Sequence, residues 1–225
     1  MDQLKNKIIT QLESRSGFKP LEVPEEVKSI RWPLGALQLN LYNWRMDKVR
    51  KISIMRCSVR IPRLEIFAIE IYPEDDYDLP LLAIDFSCMK KKSFVYMNFI
   101  PLFSGPNYYD THIAPLQEVH ARFPIGPAKQ AKDWMQPYLT DMTIYAMPDN
   151  DRLEQAKECA WQYLRCYLDL LDRTEKITDP GYRQKIAAAS LSYCDQLSEK
   201  DGSRKMLGRL IGMKKADIIF KEVIR

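Results

Sequence analysis

The chain has 225 residues, 46% of them hydrophobic and 28% charged, which is enough for one large domain with a substantial core and unlike a disordered or fibrous chain. A formal charge of +4 falls short of the clustered basic footprint of a nucleic-acid binder, and no apolar run approaches the roughly 18 residues that span a bilayer. The five cysteines (Cys57, Cys88, Cys159, Cys166 and Cys194) are odd in number, scattered and without a CxxC pair, which argues against a disulfide framework or a zinc site and for reduced core thiols.

The opening stretch mixes both charge signs and sets Leu4, Ile8, Ile9 and Leu12 at helical spacing. It reads as a short helix and not as a secretory signal, so a cytoplasmic protein is expected. Pro20 and Pro24 then punctuate a connection. Leu37, Leu39 and Leu41 alternate with Gln38 and Asn40, the period-two pattern of a half-buried strand. Val49 to Val59 and Leu64 to Tyr72 continue as strands. Leu81 to Met89 and Phe94 to Ile100 form a pair around a turn of Lys90, Lys91 and Lys92, a solvated hairpin tip. So short a link requires antiparallel pairing.

After Pro101, a loop through Gly105, Pro106 and Asn107 leads into a helical stretch ending near Arg122. It holds both histidines, His112 and His120, whose spacing does not suit a paired metal site. Leu139 to Ala146 is expected as one more strand. From Asp151 onward, Leu153, Ala156, Ala160, Leu164, Leu168 and Leu171 recur at helical spacing until Asp179, Pro180 and Gly181. Tyr182 to Leu197 forms the next helix, and a broken one runs from Gly202 to the C-terminus. Strands followed by helices predict a single α+β domain over residues 1–225, an antiparallel sheet covered by helices.

The stretch YPEDDYDLPLLAID at 72–85 carries five acidic residues, Glu74, Asp75, Asp76, Asp78 and Asp85. Only Asp85 has apolar neighbours on both sides; the others read mostly as a solvated connection between strands. The pleat sends Leu82, Ile84, Phe86 and Cys88 to one face, and Leu81, Ala83, Asp85 and Ser87 to the other, roomier one. Burial raises a carboxyl pKa toward the range useful for donating a proton at neutral pH. The other reading of Asp85 is a core aspartate satisfied by its neighbours. Asp201, ahead of Gly202 and Ser203, is a second acidic candidate that reads first as a helix N-cap. Met55 and Met97 read first as core filler.

Four segments in this order resemble the ferredoxin-dependent bilin reductases: YPEDDYDLPLLAID at 72–85, NFIPL at 98–102, RFP at 122–124, and SYCDQLSEKDGSRKMLGRLIG at 192–212. The last is most similar to the phycocyanobilin branch. The resemblance implies a three-layer α/β/α sandwich with a central antiparallel sheet, binding biliverdin IXα or a related bilin between the sheet and the C-terminal helices, with no bound flavin or metal. It implies single electrons from reduced ferredoxin and protons from the protein. Asp85 matches the central aspartate that first protonates the substrate, and Asp201 the second acidic residue near the other end of the bilin.

Ser87, Met97 and Asn98 are expected beside the bilin on neighbouring strands. Ala68 stands where the phycocyanobilin branch has a catalytic histidine, and that branch's glutamate falls at Met55 or Arg56. Both departures point away from the 18-vinyl group and toward the C15 methine bridge or the A-ring diene. They equally allow a bilin carrier without turnover. Met147 replaces a propionate-binding arginine, which leaves Arg204 or Lys205 for that task. A monomer with neither nucleic-acid nor membrane partners is expected.

Overall fold

The computed structural model describes residues 1–224, and its elements follow the periodicities of the chain. In order they are α1 (Asp2–Glu13), β1 (Lys19–Leu21), α2 (Glu25–Lys28), β2 (Ser29–Arg31), β3 (Leu37–Met46), β4 (Val49–Val59), β5 (Leu64–Pro73), β6 (Leu81–Cys88) and β7 (Ser93–Ile100). There follow α3 (Pro106–His112), α4 (Gln117–Arg122), β8 (Ile144–Ala146), α5 (Leu153–Arg173), α6 (Pro180–Lys200), α7 (Gly202–Ile211) and α8 (Met213–Ile218). No helix among the described residues is long and apolar enough to cross a membrane.

The strands make one antiparallel sheet in the order β1-β3-β4-β5-β6-β7-β8, with β2 also paired to β3. Each of its two faces is buried under helices. Leu82, Ile84 and Phe86 pack with Val95, Met97 and Phe99 beneath α1 and α5. Nine buried positions on α5, from Ala156 to Leu171, form the stripe that covers them. Two tyrosines fasten that helix: Tyr163 Oη donates to the Met142 carbonyl at 2.6 Å and Tyr167 Oη to the Pro80 carbonyl at 2.9 Å. On the second face Leu41, Met55, Ile66 and Leu81 pack beneath α6, α7, α8 and residues 219–224. The architecture is thus the expected three-layer α/β/α sandwich.

Three local expectations need correction. The strand expected over Leu139 to Ala146 is confined to Ile144–Ala146, because the preceding residues form a turn in which Thr143 N–H donates to the Thr140 carbonyl. His112 and His120 lie on different helices, separated by a tight turn at Ala114–Leu116 with Pro115 inside it, where the missing N–H stops an α-helix.

The acidic connection between β5 and β6 is also far from a merely solvated link. Asp76 is paired with Lys176 at 2.6 Å and Arg183 at 3.0 Å, and Asp78 accepts from Tyr182 Oη at 2.7 Å. Both carboxylates therefore tie the sheet to the start of α6. The N-cap of that helix is Asp179, which accepts from Gly181 N–H at 2.8 Å with Pro180 at the first helical position.

Met97 is fully buried against α5, on the face opposite Asp85. Met97→Ala is expected to lower the unfolding free energy by about 2–5 kcal/mol, the range for a truncated core methionine. Urea titration measures it, and a loss below about 1 kcal/mol would contradict this placement.

Candidate active site

On the second face, a cavity of about 340 Å³ opens between β6, β7 and β8 on one side and α6 and α7 on the other. Its floor is Asp85, Ser87, Phe94, Tyr96 and Tyr145 from the sheet. Tyr193, Leu197 and Met206 come from the helices above, and Lys129, Lys132, Trp134 and Tyr138 from the irregular segment before β8. The size and the mix of apolar wall with few polar groups are those of a small-molecule site.

Strand register explains the floor. Asp85 lies directly opposite Ala68 on β5 and Tyr96 on β7, and Tyr96 lies opposite Tyr145 on β8. Ala68 in turn faces Met55, which faces Leu41. One row of side chains thus crosses the sheet, apolar and covered at the β3 end, and acidic then aromatic where the cavity begins. The rings meet edge to face, Phe94 with Tyr145 at 5.1 Å and Tyr96 with Tyr145 at 5.9 Å. Across the cavity Tyr138 meets Tyr193 at 5.0 Å. Aromatic walls of this kind favour a flat, conjugated ligand.

Asn98, fully buried, holds these walls in place. Its Nδ2 donates to Tyr96 Oη at 3.2 Å and to the Tyr138 carbonyl at 2.6 Å, while its Oδ1 accepts from Thr143 Oγ1 at 2.8 Å.

The electrostatics centre on Asp85. Its Oδ1 is buried without a hydrogen-bond partner. Burial, then the nearby charges of Asp201 and Glu70, push its carboxyl up to about 7. It is therefore poised to donate a proton near neutral pH. Glu70, two residues along from Ala68, is raised to about 7 as well, again by burial first; it accepts a hydrogen bond from Tyr72 Oη. Asp201 does two jobs. Its Oδ1 caps α7, accepting from Ser203 N–H at 2.9 Å and Ser203 Oγ at 3.1 Å, and the same residue lines the cavity. Lys129 lies 5.4 Å over the Phe94 ring and Lys132 approaches Gly202, so two cations border an otherwise acidic and aromatic site.

The site residues expected from the sequence separate into groups. Asp85, Asp201 and Ser87 line the cavity together. Met55, Ala68 and Asn98 share that sheet face but do not line it: Met55 and Ala68 are packed under helices and Asn98 braces the walls. Met97 belongs to the other face, because adjacent residues of a strand point opposite ways. Met147 does not line the cavity; its N–H donates to the Pro127 carbonyl. Arg204 is outside as well, its guanidinium bound to Asp217 at 2.7 and 2.6 Å, and Lys205 is exposed on α7.

Sequence reasoning missed the aromatic floor, the two lysines and Glu70. Phe94 and Tyr96 could have been found, since they alternate with Val95 and Met97 on β7. Lys129 and Lys132 could not, because no period governs the irregular segment that carries them.

A raised folded-state pKa sets a pH dependence of stability. Asp85 rises from an ordinary 3.8 to about 7, so its stabilising contribution is complete below about pH 4 and is lost as pH rises through 7. Asp85→Asn is therefore expected to gain stability over the parent by about 2–4 kcal/mol between pH 4 and pH 8, as measured by urea unfolding at the two values. A gap that does not widen with pH contradicts the raised value.

A family model described as ferredoxin-dependent bilin reductase matches residues 5–224. The chain is 29% identical over 164 residues to 15,16-dihydrobiliverdin:ferredoxin oxidoreductase of Nostoc punctiforme, covering 71% of this chain and 67% of the relative. It is 24% identical over 216 residues to phycoerythrobilin:ferredoxin oxidoreductase of the same organism, covering 91% and 84%. The fold is that of phytochromobilin synthase from tomato, whose crystal structure is a complex with biliverdin: the TM-score is 0.88 at 18% identity, over 97% of this chain and 81% of the other. With the family model matched over nearly its whole length, the chain belongs to the ferredoxin-dependent bilin reductases.

Proposed function

We propose that the protein reduces biliverdin IXα, or a dihydrobiliverdin, with electrons from reduced ferredoxin, and that Asp85 is the acid that first protonates the bilin. One observation carries this reading: a carboxyl held near neutrality, with an unpartnered oxygen, at the floor of an aromatic slot. Reduction of one double bond consumes two electrons and two protons. Asp85 gives the first proton, one electron from ferredoxin makes the bilin radical, and a second electron with a proton that Asp201 takes up from water and passes on completes the step. On this reading ferredoxin passes its electrons directly to the bilin, with no flavin or metal held by the protein.

Lys129 and Lys132 line the cavity and are assigned to the bilin propionates in place of Arg204, which is already paired with Asp217. The side chains at 55 and 68 bear on which bond is reduced. Met55 and Ala68 cannot transfer a proton, which leaves Asp85 and Asp201 as the carboxyls that line the cavity. On that ground reduction falls at the C15 methine bridge or the A-ring diene, away from the 18-vinyl group.

Asp85→Asn is expected to keep the visible absorption change on binding biliverdin and to lose about 10²–10⁴-fold in the rate of anaerobic reduction, the usual weight of a general acid. Reduction at the parental rate removes Asp85 from the mechanism, while a parent that binds but never reduces biliverdin is a carrier. Chromatography of the parent's products tests the choice of bond, and phycocyanobilin as the main product overturns it. Replacing Lys129 and Lys132 together with methionine is expected to weaken biliverdin binding about 10-fold, as two partly screened charge pairs allow. Spectroscopic titration gives the Kd, and an unchanged value sends the propionates elsewhere.

A further inference from the structure

On its own sheet face Asp85 is surrounded by Ala68 and Tyr96 directly across, Ile66, Glu70, Phe94 and Asn98 on the diagonals, and Ala83 and Ser87 along β6. Of these positions Glu70 holds the one carboxyl, and none holds a cation. Glu70 has a different surrounding. It lies opposite Ser53, so its diagonal neighbours are Lys51 and Met55 on β4, and Leu81 and Asp85 on β6. Lys51, Glu70 and Asp85 therefore run as a diagonal line over three adjacent strands, about 7–8 Å apart from Cα to Cα at each step.

Lys51 is buried, with its ammonium 5.0 Å from the Tyr72 ring, and Tyr72 Oη donates to Glu70. One cation therefore adjoins the inner carboxyl and none adjoins the one that lines the cavity.

We propose that Lys51 and Glu70 are positioning residues that place the proton on Asp85: Lys51 favours the ionised form of Glu70, and the charge on Glu70 favours the acid form of Asp85. The inference deepens the reading of Asp85 as proton donor and rests on it. Burial brings both carboxyls to about 7 and lowers the Lys51 ammonium to about 8, so at neutral pH two acids compete for one proton while the cation is still charged. The other ionisable groups facing this line are Arg50 from β4, Tyr72 from β5, Tyr96 from β7 and Tyr145 from β8, with Lys129 and Lys132 across the cavity from the segment before β8. From above come Tyr193 and Cys194 of α6 and Asp201 before α7. Burial pushes the tyrosines up, so they stay neutral at that pH. Of the two nearby carboxylates Asp201 raises Asp85 more and Glu70 less, but Glu70 alone connects Asp85 to a buried cation.

The test is a carboxyl titration of the free protein, labelled with carbon-13 at aspartate and glutamate side chains and followed by NMR. Glu70→Gln, which keeps an acceptor for Tyr72, is expected to move the Asp85 midpoint acidward by about one pH unit, the scale on which neighbouring acids couple. Lys51→Met is expected to move it in the same direction, because Glu70 then keeps the proton. A midpoint that stays in place or moves alkaline in these variants overturns the proposal, and Lys51→Met decides it if Glu70→Gln does not fold. A residue that merely braced the fold would leave the midpoint untouched. Because the titration needs no bilin, it is independent of the activity assay. A parent that reduces no bilin defeats the enzymatic reading and leaves the charge pairing to be judged on the titration.

Discussion

A carboxyl on a sheet covered by helices on both faces has to be paired, hydrated or protonated, because an isolated charge there is costly. At Asp85 the third solution is favoured. Its neighbours on the face are apolar, aromatic, hydroxyl or amide side chains, with Glu70 on one diagonal and Asp201 above, and no cation holds a position beside it on that face. The site obtains an acid at neutral pH by withholding a cation, and the two lysines of the cavity are kept at its border.

The same sheet also supports the core. On β6 and β7, Phe86 and Met97 sit under α5 while Asp85 and Tyr96 open into the cavity, so the fold and the site share the same two strands. The stretch from Tyr72 to Asp85 joins floor and roof. Its far end supplies Asp85, and its middle, through Asp76 and Asp78, holds Arg183 and Tyr182 at the start of α6. That helix carries Tyr193 and Leu197 over the cavity and ends at Asp201. What reads as surplus acidity in one dimension is the clamp that sets the helical layer over the sheet.

Much of this was legible beforehand. Alternation along β6 separates Asp85 from Leu82, Ile84 and Phe86 without any knowledge of partners, since a strand side chain's face depends only on the parity of its position. Met97 reads first as core filler and is that; the same parity keeps it from the place beside the bilin that was also expected of it. Asp201 reads as a cap from its local sequence, and it is one, but the local sequence is silent on the cavity it also lines.

The α+β class, the two faces of the strands, the candidacy of Asp85 and the family are all written in one dimension, because they rest on local periodicity and on the order of short motifs. That Asp85 and Asp201 border one cavity, that Lys129 and Lys132 are there while Arg204 is taken by Asp217, and that Glu70 stands between Lys51 and Asp85 depends on the folded chain. The reason is physical. A side chain's direction is set by its own backbone, whereas its charge environment is set by whichever distant strands and helices the register and packing bring beside it.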